Sequence, residues 1–250
     1  MSRDLLQARF LEALVAGDRP AARAVIADLT AKGAPASQII SELFWPAHET
    51  IEKLFRADQM TSLAYHFSTR LLRMLVDQAS SALDRSPPRG ESVFCACGPS
   101  QGEELAAQMA CDLLEADGFD VAFAGGGVPG DEILARVQET QPNYLVMFAS
   151  AASDLPEIRR IVDTLREIGA CRRTKVVVGG GVFNRADGLA EEIGIDLWCY
   201  SPADLVDLLT LPPEPERATT PAARTQGQAQ AQSQTQRTTK PAARKTRAAA

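Results

Sequence analysis

The stretch Gly118-Phe119-Asp120-Val121-Ala122-Phe123-Ala124-Gly125-Gly126-Gly127-Val128-Pro129 decides the fold. Its apolar run from Phe119 to Phe123 has the length of a strand. It ends in a glycine-rich turn, after which Ile133, Leu134 and Val137 recur at helical spacing. The same grammar repeats on both sides. Upstream, the sequence predicts a strand over 92–96, a turn at Gly98-Pro99-Ser100-Gln101-Gly102, and a helix from Glu103 through Leu105, Met109, Leu113 and Leu114 to the stop at Gly118. Downstream, a strand over 144–148 leads into Ala149-Ser150-Ala151-Ala152-Ser153. Asp154 is then placed to cap a helix carrying Ile158, Ile161, Val162 and Leu165. A strand over 175–178 ends at Gly179-Gly180-Gly181, followed by a helix near 186–193, a strand near 196–199 and a helix over 202–209. Five such units predict a parallel, doubly wound α/β sheet with helices on both faces. Ligands of such sheets bind beyond the carboxyl ends of the strands, where every one of these Gly- and Ser-rich loops falls.

Before Glu91 the pattern is helical. Leu5, Leu6, Phe10, Leu11 and Leu14 share one face, and Gly17-Asp18 breaks it. Asp18 and Pro20 open a second helix through Val25, Ile26 and Leu29. A third begins near Ser37 and meets Pro46, which is expected to kink or restart it before Ile51, Leu54 and Phe55. A fourth runs from about Thr61 through Leu63, Phe67, Leu71, Leu72, Leu75 and Val76. Short connections between four helices predict a bundle. Ser86-Pro87-Pro88-Arg89-Gly90 reads as the linker. The expected organisation is a helical bundle over 1–85, the α/β domain over 91–210 and a tail over 211–250.

Charge divides along the same line. From Arg217 onward there is no Asp or Glu but seven basic residues. The remainder holds 19 of the 26 Lys and Arg and all 32 acids, a formal −13 against +7. The tail is rich in Gln, Thr, Ala and Ser and has no aromatic residue, so it is expected to be disordered. Such a polycation implies weak, salt-sensitive contact with nucleic acid, or simply a solubilising segment that folds back on the acidic body. No apolar run reaches the ~18–20 residues that span a bilayer. Five cysteines without paired spacing give no disulfide framework, and the cytoplasm is the expected compartment. Cys95 and Cys97 are two apart on a strand, point the same way, and read as small buried residues.

The ordered set of motifs resembles the cobalamin-binding proteins, among them methionine synthase's corrinoid module, methyltransferase corrinoid proteins and light-sensing cobalamin-dependent regulators. Gly118-Phe119-Asp120-Val121 followed by Gly127-Val128-Pro129 matches that family's strand, glycine and Val-Pro. Gly179-Gly180-Gly181-Val182-Phe183 is similar to its Gly-Gly loop, and Ser150-Ala151-Ala152 stands where it has Ser-x-Leu. The resemblance implies a flavodoxin- or Rossmann-like domain beneath a four-helix cap, with cobalamin between them. It implies cofactor contacts from Val128, Pro129, Ser150, Ala152, Gly179, Gly180, Gly181 and Phe183. Small residues suit a flat ligand that approaches the backbone closely.

One departure is specific. The family's first loop carries Asp-x-His-x-x-Gly, whose histidine coordinates cobalt from below. The aligned residues here are Gln101, Glu103 and Ala106, with Gly102 between the first two. Carboxylate is a poorer ligand than imidazole for such a metal. Acids in the first turn of a helix have a plainer use, favourable interaction with its dipole. On the cap, the light-sensing members show Trp-x9-Glu-His, matched here by Phe55, Tyr65 and His66. The resemblance therefore places Phe55, Trp45 and His66 over the ligand, with His66 as the metal ligand from above; a bundle core with a satisfied histidine is the plain alternative. Haem, or no cofactor, is left open beside cobalamin.

Three roles follow from the resemblance. The first is a stand-alone sensor or regulator whose ligand alters contacts with a protein partner. The second is a module that has lost its ligand and keeps protein contacts. The third is a corrinoid methyl carrier serving a methyltransferase, which the loss of the lower histidine disfavours. No catalytic triad, phosphate loop or metal cluster is legible, so the chain is not read as an enzyme. A homo-oligomer through the helical domain is left open.

Overall fold

The computed structural model describes residues 3–169 and 171–210. The tail, with the disorder and nucleic-acid contact expected of it, lies outside the described residues. Among the described residues no helix is long and apolar enough to cross a membrane.

The N-terminal helices are α1 (Arg3–Ala16), α2 (Arg19–Ala31), α3 (Ala36–Ile39), α4 (Trp45–Arg56) and α5 (Ser62–Ser80). Asp18 caps α2 by accepting from the Ala21 amide at 3.0 Å, and Thr61 caps α5 by accepting from the Ala64 amide at 3.2 Å. Both caps satisfy donors that the first turn of a helix leaves unpaired. The predicted kink at Pro46 takes the form of a π-helical turn, Ile40–Phe44, that joins α3 to α4. Pro46 brings no N–H to the turn above it. Glu42's carbonyl, four residues back, accepts from Gln7 Nε2 of α1 at 3.1 Å. The third helix is thus continuous in course and bulged at the proline. Phe10 stacks on Phe44 at 5.6 Å between ring centroids, fixing α1 against that bulge.

The α/β part comprises β1 (Ser92–Cys97), α6 (Gln101–Ala116), β2 (Asp120–Gly126), α7 (Gly130–Thr140), β3 (Tyr144–Phe148), α8 (Leu155–Ile168), β4 (Lys175–Gly179), α9 (Gly181–Arg185), α10 (Leu189–Ile193), β5 (Leu197–Cys199) and α11 (Pro202–Thr210). All five strands are parallel, in the order β2-β1-β3-β4-β5. This is the doubly wound order, with the reversal point between β1 and β3. The single predicted helix near 186–193 is two short ones, α9 and α10, separated where Gly188 takes a left-handed φ of +80°.

Alternation along the strands sorts the core into two layers. Val93, Cys95, Val146, Phe148, Val177 and Cys199 face α6 and α11, and their cluster is continuous with the apolar interior of the helical layer. Phe94, Ala96, Leu145, Met147, Val176 and Val178 face α7, α8, α9 and α10. The helical layer therefore sits on the α6 side of the sheet. The segment between the layers is pinned rather than loose: Ser86 and Arg89 amides donate to the carbonyls of Ala116 and Gly118 at 2.7 and 2.8 Å. Gly118 makes this possible, because its φ is +96° and a Cβ there would lie 2.2 Å from the Pro87 carbonyl.

Candidate functional site

At the carboxyl edge of the sheet, the β1–α6 turn is organised by Glu103. Ser100 and Glu103 form a reciprocal capping box. Ser100 Oγ accepts from the Glu103 amide at 3.1 Å, and Glu103 Oε2 accepts from the Ser100 amide at 3.1 Å and from Ser100 Oγ at 2.6 Å. Glu103 Oε1 accepts from the Ser150 amide, a short contact from the β3–α8 loop. The Asp154 carboxyl lies beside this set and accepts from the Ala151 amide at 3.4 Å. Glu103 is only 2% exposed. Burial alone pushes its carboxyl up, but donation from Ser100 and Ser150 holds it below the usual carboxylate range. The Asp154 carboxyl moves the other way, to about 6, through burial and then through the neighbouring Glu103 carboxylate. Asp154 does not cap α8 with its side chain as the sequence predicts; a 3-10 turn over Ala152–Asp154 precedes that helix, and the carboxyl turns toward Glu103.

Beside this knot a slot opens between the ends of β1 and β3. Its volume is about 170 Å³, and Pro99, Gly127, Val128, Ile133, Met147, Phe148, Ile158 and Ile161 line it. Ala96 lies on its wall and Asp154 at its polar side. The slot faces the α7–α8 layer at the reversal point of the strand order, the usual ligand position of such sheets.

The helical layer meets the same edge from above. Tyr65 of α5 donates to Glu52 Oε1 of α4 at 2.7 Å, and Glu52 presses on Gly102, where a Cβ would lie 2.2 Å from the same oxygen. Only glycine leaves that room at the start of α6. Burial raises the Glu52 carboxyl, opposed by Tyr65 and by Arg56, whose guanidinium lies 3.7 Å away. Phe55 stacks on Tyr65 at 4.0 Å. A row of polar pairs continues along α5 and α6. Thr69 Oγ1 donates to Gln101 Oε1 at 3.2 Å, Arg73 Nη2 donates to Glu104 at 2.8 Å, and Gln108 donates to Asp77 at 2.5 Å. Across the groove Arg185 donates to the Ser150 carbonyl at 2.6 Å.

Several residues singled out in the sequence come together here. Gln101, Gly102, Glu103 and Ser150 surround the knot, Val128 lines the slot, and Phe55 joins through Tyr65. Gly180, at φ +103°, lets the β4 loop lie against the Ala149 carbonyl, 2.3 Å from where a Cβ would be, and Gly179 packs against Cys199 and Phe148 in the same way. Gly181 starts α9, Pro129 precedes α7, and Ala152 begins the 3-10 turn. Others lie elsewhere. Trp45 is 8% exposed in the helical interior, its ring 5.4 Å from His48, and Phe183 is buried in the α7–α8 layer. His66 is exposed, its ring 6.0 Å from Tyr65. His48 is the buried histidine; its Nδ1 has no hydrogen-bond partner, and burial, then the charge of Arg56, lowers it to about 4. Among the described residues no group of three or more His, Cys, Asp or Glu is placed to hold a metal ion. Cys95 and Cys97 face the α6 side, as their spacing predicts, and Cys95 lies against the thiol of Cys111.

Sequence reasoning missed Glu52, Asp154 as a partner of Glu103, and the apolar wall of the slot. The Ser100-x-x-Glu103 spacing is a legible capping signature; the other contacts join residues far apart in the chain.

Comparison with known proteins agrees with this architecture. Two family models, each described as a B12 binding domain, match residues 6–79 and residues 91–207. Dimethylamine corrinoid protein 3 of Methanosarcina acetivorans is 29% identical over 98 residues, 39% of this chain and 44% of that protein. The methanol–corrinoid protein of Methanosarcina barkeri is 27% identical over 100 residues, 40% of this chain and 38% of that protein. The match thus spans less than half the length of these curated relatives. Among solved structures, the Methanosarcina barkeri monomethylamine corrinoid protein superimposes with a TM-score of 0.73 at 16% identity, covering 83% of this chain and 98% of that one. That likeness shows the shared fold: a helical layer over a five-stranded parallel sheet. With a helical match and an α/β match joined in one compact unit, the chain belongs to the B12 binding domain family.

Proposed function

We propose that this chain holds a corrinoid, cobalamin in the first instance, between its helical layer and the carboxyl edge of its sheet, and signals occupancy to a protein partner through the position of that layer. The observation that carries this is the slot at the β1–β3 reversal point. An apolar cavity of about 150 Å³ admits benzene. A partly open slot of about 170 Å³ lined by Val128, Met147, Phe148 and Ile158 suits a flat fused-ring base such as the one on cobalamin's tail. The glycines of the β2 and β4 loops let backbone approach such a ligand closely.

A bound corrinoid would supply a cobalt centre able to take and release a small group. The chain's own residues do the rest. Val128 and its neighbours exclude water from the tail base. Phe55 and Tyr65 offer an aromatic face from above, and His66, one position on, is the cap imidazole nearest that face. Entry of a flat ring between the layers requires the Tyr65–Glu52 contact to leave Gly102. The polar pairs along α5 and α6, Arg73–Glu104 among them, then part and re-form as the cap moves. Ligand binding and cap position are coupled in this way, which is what a sensor needs.

A methyl-carrier role serving a methyltransferase is the second reading, and the names of the curated relatives favour it. Glu103 speaks for the sensor, because its carboxylate is committed to other partners. The test is absorbance after mixing the purified protein with hydroxo-, methyl- or adenosylcobalamin in the dark and desalting. A retained spectrum with a change in cap protection on hydrogen exchange supports the sensor. Retention with methyl transfer on addition of a corrinoid methyltransferase supports the carrier. Loss of every cobalamin, and of haem, on desalting leaves a protein-interaction module without ligand.

A further inference from the structure

Glu103 occupies the position from which the resemblance expects a lower metal ligand, yet both oxygens of its carboxylate are engaged. Oε2 takes the amide and hydroxyl of Ser100, and Oε1 takes the Ser150 amide. These partners belong to the β1–α6 turn and to the β3–α8 loop, which form two walls of the slot. Gly98 is required by the same arrangement, since a Cβ there would lie 2.4 Å from Glu103 Oε2. To reach a metal, the carboxylate would have to abandon two backbone amides in a place where water does not replace them. The chain's two histidines, His48 and His66, both lie in the helical layer, so no imidazole is available from the sheet side.

We infer that Glu103 is a tether and not a ligand: it ties the two loops that wall the slot, and a corrinoid bound here has its tail base in the slot and a lower cobalt position that no side chain fills. The position is then open or takes water. This rests on the corrinoid reading above. It goes beyond that reading in assigning Glu103 a positioning role and in fixing what the cobalt lacks.

The test uses the full chain loaded with cob(II)alamin and, separately, with cob(II)inamide, which has no tail base. Electron paramagnetic resonance and absorbance are recorded for wild type and Glu103→Gln. The amide keeps the size of the side chain but cannot accept at both ends. Retention by Glu103→Gln is expected to weaken about tenfold or more, the scale of one charge-assisted hydrogen bond. The cobalt spectrum of whatever stays bound is expected to match wild type. Nitrogen splitting seen with both corrinoids comes from a cap histidine above and agrees with an empty lower position, as does its absence from both. Splitting with cob(II)alamin alone puts the tail base on cobalt and overturns the inference while leaving corrinoid binding intact. A cobalt spectrum that changes in Glu103→Gln makes the carboxylate a ligand and overturns it likewise. Failure of wild type to retain either corrinoid overturns both the inference and the functional reading beneath it. Should Glu103→Gln fold poorly, Ser100→Ala, which removes the hydroxyl donor to Glu103 Oε2 and leaves the Glu103 side chain in place, is expected to lower retention with the same unchanged spectrum.

Discussion

Ala96→Leu tests whether the slot is real space held for a ligand. Ala96 is 2% exposed, lies on β1, and forms part of the slot wall on the α7–α8 side. Leucine adds three carbons, worth about 2.4 kcal/mol if all are buried at ~0.8 kcal/mol each. Adjustment of neighbours takes back about 1 kcal/mol or more. A net gain of about 1 kcal/mol is expected, raising the melting temperature by roughly 2–4 °C in a domain of this size. The same variant should lose retained cobalamin, since the new side chain stands where the base would go. Opposite signs for stability and binding are the signature of a slot kept open for function. Ala107→Leu serves as the control: Ala107 is fully buried in the α6 layer with no slot beside it, and overpacking there should cost about 1–3 kcal/mol. Thermal unfolding and desalting absorbance read both effects. If Ala96→Leu destabilises as much as Ala107→Leu and cobalamin stays bound, the slot is neither spare volume nor the tail site.

Three further outcomes are expected. His48 is held neutral, its value lowered from 6.5 to about 4 by burial and the Arg56 charge, so between those values the unfolded chain binds more protons than the folded one. Its contribution is therefore intact above about pH 6.5 and lost as pH falls toward 4, by roughly 3 kcal/mol; His48→Phe should flatten the stability curve over that window relative to wild type. Gly180→Ala combines φ +103° with a Cβ 2.3 Å from the Ala149 carbonyl, and should cost more than 2 kcal/mol in denaturant unfolding, while Gly127→Ala, at φ +74° with nothing within 4 Å, should cost about 1. Gln7→Ala removes the donor to Glu42's carbonyl and should cost about 1 kcal/mol; in a Pro46→Ala background, where the helix regains an N–H, a double-mutant cycle should show that cost shrinking by half or more.

The sheet was legible because its signals are local. Each strand is a short apolar run closed by glycines or small residues, and Phe119–Phe123 followed by Gly125-Gly126-Gly127 states both the strand and its carboxyl end. The helical layer was legible down to its Asp18 cap, and Pro46 announced a disturbance, although the sequence could not say that Gln7 would meet the carbonyl beside it. The site was legible only where a residue acts through its neighbours in the chain. Ser100 and Glu103 carry a capping signature three residues apart, whereas the Ser150 amide comes from 47 residues away and turns the same carboxylate into a bridge between loops. A family pattern draws attention to position 103 as a missing metal ligand; the packing around it gives the position a different use. The seam between the layers hid for a related reason. Thr69, Arg73 and Asp77 recur at helical spacing, as do Gln101, Glu104 and Gln108, and polar residues so spaced read as solvated faces. In the structure they face each other. Arg73 and Glu104 are still 37% and 34% exposed in their side chains, so their pair contributes at most about 1 kcal/mol. A rim built of such contacts can part at small cost and re-form without ambiguity of register. An apolar rim would hold the cap shut or, once opened, collapse elsewhere. The polar row along α5 and α6 is therefore what the proposed function requires of a cap that must move with its ligand.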